Sequence, residues 1–230
     1  MLYAIRSNTF YVRTKIAWKN IAAKIRSKPA HPSNYQAGYS PDTDNVPVIN
    51  EELGVQSIAA RQQAHNLGWL HPTAHLLIFS PDSRYILMQC RASGKDSSGN
   101  LLGQSVGGHV GGTPEMVGQK IKQEIILATL DKETWEEAGI RGLSYLFCQL
   151  FRYNSSLLPS QHIYRNQEMA FLFTSRYSGR AIPNPTEVKW MGWFSIDGIY
   201  KLLNKKPWLF SPSFRRDLAV YNEKQRKTKN

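Results

Sequence analysis

The segment Glu124-x7-Lys132-Glu133-Thr134-Trp135-Glu136-Glu137-Ala138-Gly139-Ile140 restricts the fold of this chain more than any other. Residues 121–138 have a helical period, with Leu127, Leu130, Thr134 and Ala138 along one stripe and Gly139 at the C-terminal stop. Positions 133, 136 and 137 are then i, i+3 and i+4, so their carboxylates leave the helix on one face. Three crowded carboxylates repel one another unless a cation sits among them. Hard oxygen ligands at this density suit Mg²⁺ or Mn²⁺, which keep several waters and bridge to substrate phosphates. The plain alternative is a solvated acidic face, common on helices.

Around this segment the pattern is α/β. Residues 46–50 read as a short strand. Residues 73–80 form an apolar run stopped by Pro81-Asp82-Ser83, and residues 85–90 complete a hairpin. A polar loop, 92–102, leads to the cluster Gly107-Gly108-His109-Val110-Gly111-Gly112. Strands are expected at 143–152, 168–176 and 188–194, and helices at 196–203 and 212–221. Hydrophobic residues are 41% of the 230, enough for a packed core, which excludes a disordered or collagen-like chain. No run approaches the roughly 18 apolar residues of a membrane span. Two cysteines, Cys90 and Cys148, exclude a disulfide framework and a Cys-rich zinc module. They fit a reducing compartment, and a cytoplasmic location is expected.

The net charge of +12 is unevenly spread. Residues 1–48 carry seven Lys/Arg against Asp42 and Asp44, residues 49–200 carry thirteen of each sign, and residues 201–230 carry nine against Asp217 and Glu223. The middle is neutral and the ends are basic, so nucleic acid is not the expected partner of the core. Residues 1–45 read as a basic amphipathic extension and linker, and residues 46–230 as the folded domain. Within residues 11–26, Ile16, Trp18, Ile21, Ala22 and Ile25 share a helical face. That helix packs on the domain, meets a membrane surface or partner weakly, or is a mitochondrial presequence, which would change the expected location. Three prolines within 29–46 mark the linker.

The order Gly118-x5-Glu124-x7-Lys132-Glu133-x2-Glu136-Glu137-x-Gly139-Ile140 resembles the Nudix box, with Lys132 where the box has Arg and Thr134 where it has an aliphatic residue. The likeness runs from about Val46 to Phe214. Leu70-His71-Pro72-Thr73-Ala74-His75, Arg91-Ala92-Ser93-Gly94-Lys95, Gln104-Ser105-Val106-Gly107-Gly108-His109 and Gln167-Glu168 look like the branch related to isopentenyl diphosphate isomerase. The resemblance implies a Nudix α/β/α sandwich with a mixed β-sheet. It implies Mg²⁺, with Mn²⁺ as the alternative, held by Glu133, Glu136, Glu137 and the carbonyl of Gly107 or Gly108. It makes Lys132 the partner of the glutamates, Glu133 or Glu168 the general base, and Arg91 and Lys95 the grip on the diphosphate. Gly118, Glu124 and Gly139 would support the box.

The implied activity is metal-dependent hydrolysis of a diphosphate linkage in a nucleoside-diphosphate-linked or other organic diphosphate, the small-molecule partner. The alternatives are a non-catalytic ligand-sensing or interaction module, and an isomerase. The isomerase reading lacks its cysteine, because Gly107 stands in that slot, and one of its paired acids, because Asn166-Gln167-Glu168 keeps only the second. His65, His71 and His109 either echo the isomerase's histidine metal site or are structural histidines at strand ends. Assembly is left open, a homodimer included. Ten extra residues, 111–120, separate the Gly-Gly turn from the helix, as a loop beside the site or as an early helix start. In one continuous helix Glu124 would lie about 180° from Glu133, since nine residues separate them.

Overall fold

The structure is a computed structural model that describes residues 44–94, 98–155 and 165–229. The expected helix within 11–26, most of the linker, and Lys95 lie outside the described residues. Two antiparallel strands, β1 (Asn45–Ile49) and β2 (Val55–Ala60), form a hairpin that runs into α1 (Arg61–Leu67). A second sheet holds β3 (Leu70–Phe79), β4 (Tyr85–Arg91), β5 (Leu102–Gly103), β6 (Val106–His109), β7 (Leu146–Asn154), β8 (Gln167–Arg176) and β9 (Val188–Ser195). The helices α2 (Gln123–Ala138), α3 (Ile196–Lys205) and α4 (Pro212–Lys229) complete the described elements.

The larger sheet is mixed. β3 and β8 run parallel over their full lengths, and every other pairing is antiparallel. One edge of β3 is shared: its N-terminal half pairs with β6 and its C-terminal end with β4. Gly107 and Gly108 lie on β6, so the sheet parts beside the glycine turn, and this opening becomes the cleft.

Strand alternation assigns the layers. Ala74, Leu76 and Ile78 of β3 join Ile126, Leu130 and Ala138 of α2 in one buried cluster. His75 and Phe79, of opposite parity, meet Asp217 and Tyr221 of α4. Helices on both faces of a mixed sheet make the expected α/β/α sandwich. α4 is anchored by Phe214, fully buried and stacked on Phe210; burying such a ring contributes about 1.5–3 kcal/mol.

Four strands and helices were not anticipated from sequence: β2, α1, and the short strands β5 and β6, which fall where a polar loop and a glycine cluster were expected. β2 takes its extended form from pairing with β1, and its apolar alternation is weak. α1 is seven residues long with no side-chain cap at its start, which leaves little local signal. The extra residues 111–120 are a loop, not an early helix. A 3-10 turn at Pro114–Met116 starts at Thr113, and the chain then bonds back to the start of β2 through Gly118 N–H to the Val55 carbonyl and Val55 N–H to the Gln119 carbonyl. This loop lies away from the cleft and supplies none of its lining.

Candidate active site

α2 stops where Gly139 takes a φ of 65°, and its N–H reaches the Trp135 carbonyl at 2.8 Å. That left-handed cap suits a residue without a Cβ. One turn earlier, Glu137 is 3% exposed and Glu133 is half-buried, so the cluster is not a solvated face. Glu137 Oε2 accepts hydrogen bonds from Gln89 Nε2 at 3.0 Å and from the Gly107 N–H at 3.2 Å. Lys132 Nζ lies 3.8 Å from Glu136 Oε2, the ordinary i, i+4 pairing. A Cβ at Gly108 would overlap the Glu133 side chain, which explains why glycine stands there.

Burial and the neighbouring carboxylates raise the proton affinity of this cluster. Burial, helped by the neighbouring Glu137 charge, pushes Glu133 up to about 8. Burial pushes Glu137 up to about 7, against the pull of Arg91 and its two hydrogen bonds. A divalent cation among these oxygens would favour the ionised forms, so the donor set fits Mg²⁺ or Mn²⁺.

The cleft encloses about 640 Å³ and is lined by Arg61, Arg91, Lys132, the three glutamates and Glu168, among others. Glu168 on β8 is buried; Thr73 Oγ1 donates to its Oε2 at 3.4 Å and Asn166 Nδ2 donates to its Oε1. The β3–β8 register sets Glu168 beside His71.

His65 of α1, His71 of β3 and His109 of β6 also converge here. Their ligating nitrogens all lie within 4.8 Å of one another. His65 Nε2 is 3.3 Å from His71 Nε2 and 3.1 Å from His109 Nε2. His71 Nδ1 donates to the Trp69 carbonyl at 2.8 Å, which leaves its Nε2 as an acceptor. Burial lowers all three rings, His65 to about 3 and His109 well below the usual range. Three neutral imidazoles with their Nε2 atoms turned toward one another form a nitrogen-rich set, suited to zinc rather than magnesium. The three are therefore a cluster that could hold a metal, more than isolated histidines at strand ends.

The expected site residues divide accordingly. Arg91, Lys132, Glu133, Glu136, Glu137, Gly108 and Glu168 line one cleft. Gly139 caps the helix behind them. Glu124 does not join them: α2 is continuous from Gln123, so Glu124 lies in its first turn, exposed and about half a revolution from Glu133. There its charge favours the positive helix end instead. Gly118 lies outside the cleft in a left-handed turn, φ 79°. Sequence reading missed Arg61, Gln89, His75 and Asp217. For His75 a signal existed, since it lies four residues after His71 and on the same strand face.

The sequence profile of the NUDIX domain matches residues 69–214. The chain belongs to the NUDIX family. The carboxylates of α2, the Gly107–Gly108 turn and Glu168 all fall inside the matched stretch. No curated protein matches the chain. Among solved structures, DR0079 from Deinococcus radiodurans is 17% identical with a TM-score of 0.53, over 70% of this chain and 90% of that one, a likeness of NUDIX fold. A MutT protein from Methanosarcina mazei Go1 is 16% identical with a TM-score of 0.49, over 70% of this chain and 96% of that one. No helix among the described residues is long and apolar enough to cross a membrane.

Proposed function

We propose that this NUDIX protein hydrolyses a diphosphate linkage in an organic diphosphate, with Mg²⁺ or Mn²⁺ as cofactor. The observation that carries the reading is the packing of Glu133 and Glu137 against Gly107 and Gly108 of β6, in a cleft that also presents Glu136, Arg91 and Glu168. A bound divalent ion would neutralise phosphate oxygens and acidify an attacking water. The protein's own groups do the rest. Glu133, Glu136, Glu137 and the Gly108 carbonyl would hold the ion. Gln89 and the Gly107 N–H fix the Glu137 carboxylate so that it need not reorganise. Lys132 restrains Glu136 without the bidentate fork an arginine would offer. Arg91, at the end of β4, grips the diphosphate; Lys95, its expected companion, lies outside the described residues. Glu168 takes the proton of the attacking water as general base.

The two other readings fare less well. A ligand-sensing module has no need of a complete carboxylate set. An isomerase needs a thiol, yet Cys90 and Cys148 are both buried on strands β4 and β7.

The test is hydrolysis with Mg²⁺ of three probes, read as AMP and ribose 5-phosphate from ADP-ribose, UMP and glucose 1-phosphate from UDP-glucose, and inorganic phosphate from geranyl diphosphate. Turnover of at least one, abolished by EDTA and by Glu137→Gln, supports hydrolysis. Tight binding of a probe without turnover would favour the sensing module instead.

A further inference from the structure

β3 turns His75 toward α4, and Asp217 of α4 lies 142 positions away in sequence but in direct contact. His75 Nδ1 is 2.9 Å from Asp217 Oδ1. Asp217 is fully buried and His75 is 4% exposed. A carboxylate accepts only, so Nδ1 is the donor. That fixes the ring and aims Nε2 in the other direction, at the cleft that His75 lines. There Nε2 lies 3.9 Å from Glu168 Oε2, the oxygen that also receives the Thr73 hydroxyl.

A buried ion pair is a poor source of stability, because desolvation cancels most of the attraction, and apolar residues of similar size would serve the core as well. The Asp217 carboxylate is even left with Oδ2 lacking a hydrogen-bond partner among the described residues. Among the described residues its hydrogen bond is to His75, and beyond it His75 faces Glu168 across the cleft. Burial alone would lower His75, but the Asp217 carboxylate beside it outweighs this, with help from Glu168 and Glu137, and the ring is pushed up to about 9. Its Nδ1 is bonded to Asp217, while its Nε2 faces Glu168 Oε2 across 3.9 Å, longer than a hydrogen bond and within reach of an ionic attraction. Around Glu168, β3 supplies Thr73 and His75, β6 supplies His109 at 3.9 Å, and Asn166 precedes it on its own chain.

We propose that Asp217 and His75 form a positioning dyad that holds the Glu168 carboxylate in the orientation its work as general base requires. His75 acts through Glu168 and touches no reacting atom. The dyad's function rests on the base role given to Glu168 above; its geometry does not.

Two measurements test it. In the kinetic one, with Mg²⁺ and whichever of the three probes is turned over fastest, His75→Asn and Asp217→Asn each lower kcat by about 10–100-fold, the usual scale for an orienting partner, and leave KM within about twofold. Adding His75→Asn to Glu168→Gln costs nothing further, because residues that act as a unit are not additive. Losses that multiply in the double variant, or that fall on KM, overturn the dyad. The second measurement needs no turnover. Nitrogen NMR of the imidazoles in ¹⁵N-labelled protein shows a slowly exchanging Nδ1 proton on His75 that is lost in Asp217→Asn. The ring signals of His75 shift in Glu168→Gln while the backbone spectrum is retained. An unprotonated Nδ1, or ring signals indifferent to Glu168→Gln, overturns the contact itself. A normal rate in Glu168→Gln would overturn the base role instead, which separates the two failures.

Discussion

The side chain of Glu133 fills the space that a Cβ on Gly108 would occupy. Helix α2 and strand β6 approach so closely there that a side chain at position 108 has no room. Gly108→Ala should therefore push Glu133 out of place. We expect metal-dependent turnover to fall at least 100-fold, on the scale of losing a transition-state contact, with the far-UV circular dichroism unchanged. Turnover near the parent rate would show that Glu133 has freedom to move without consequence.

Glu137 and Glu136 differ in burial, and their replacements should differ in stability. Glu136→Gln and Glu137→Gln should each lower turnover by orders of magnitude. Glu137→Gln removes a buried charge that burial already disfavours, so the metal-free variant should melt at or above the parent temperature. Glu136 is more exposed, with 43% of its side chain accessible, and its loss should barely move the melting point. Calorimetry on EDTA-treated protein checks both. Unfolding of Glu137→Gln would mean that its hydrogen bonds to Gln89 and Gly107 outweigh the cost of its charge.

Several groups bind protons more tightly in the folded protein than in the unfolded chain, among them Asp217 and the following three. His75 is raised from 6.5 to about 9, Glu133 from 4.5 to about 8, and Glu137 from 4.5 to about 7. Stability from a raised group is fully present below its unfolded pKa and is lost as pH climbs to its folded one. His65, His71 and His109 are lowered and act in the opposite sense below about 6.5. Above pH 6.5 His75, Glu133 and Glu137 all weaken the fold, so metal-free protein should lose on the order of a few kcal/mol between pH 6.5 and 9. Mg²⁺ favours the ionised glutamates and should remove their share, leaving that of His75. Urea midpoints at the two pH values, with and without Mg²⁺, decide; a midpoint that rises with pH in EDTA contradicts the assignment.

The two ligand sets should separate cations by hardness. Mg²⁺ should bind through the carboxylates and be unaffected by His65→Gln. Zn²⁺ should bind through the three imidazoles and weaken by about 10-fold or more in that variant. Titration calorimetry of each ion against both proteins reads the difference. Equal Zn²⁺ affinity in parent and variant would leave the histidines as a neutral hydrogen-bonded cluster.

The local part of the site was legible in sequence because helix geometry is fixed. Glu133, Glu136 and Glu137 must share a face once residues 123–138 are helical, and Gly139 must end that helix wherever it is docked. The same rule placed Glu124 on the far side, where it lies. The apolar run at 73–80, closed by Pro81-Asp82-Ser83, was likewise legible as a strand, and any strand has two faces. What no local rule contains is which side chains those faces meet. The partnership of His71 with Glu168 depends on the register of parallel strands 97 positions apart. The histidine cluster needs a short helix, a strand end and the split edge of β3 to arrive together. The contact of His75 with Asp217 exists because α4 docks through Phe214 and Leu218. These placements follow from the summed packing of the whole core, a quantity that spacing along the chain does not carry.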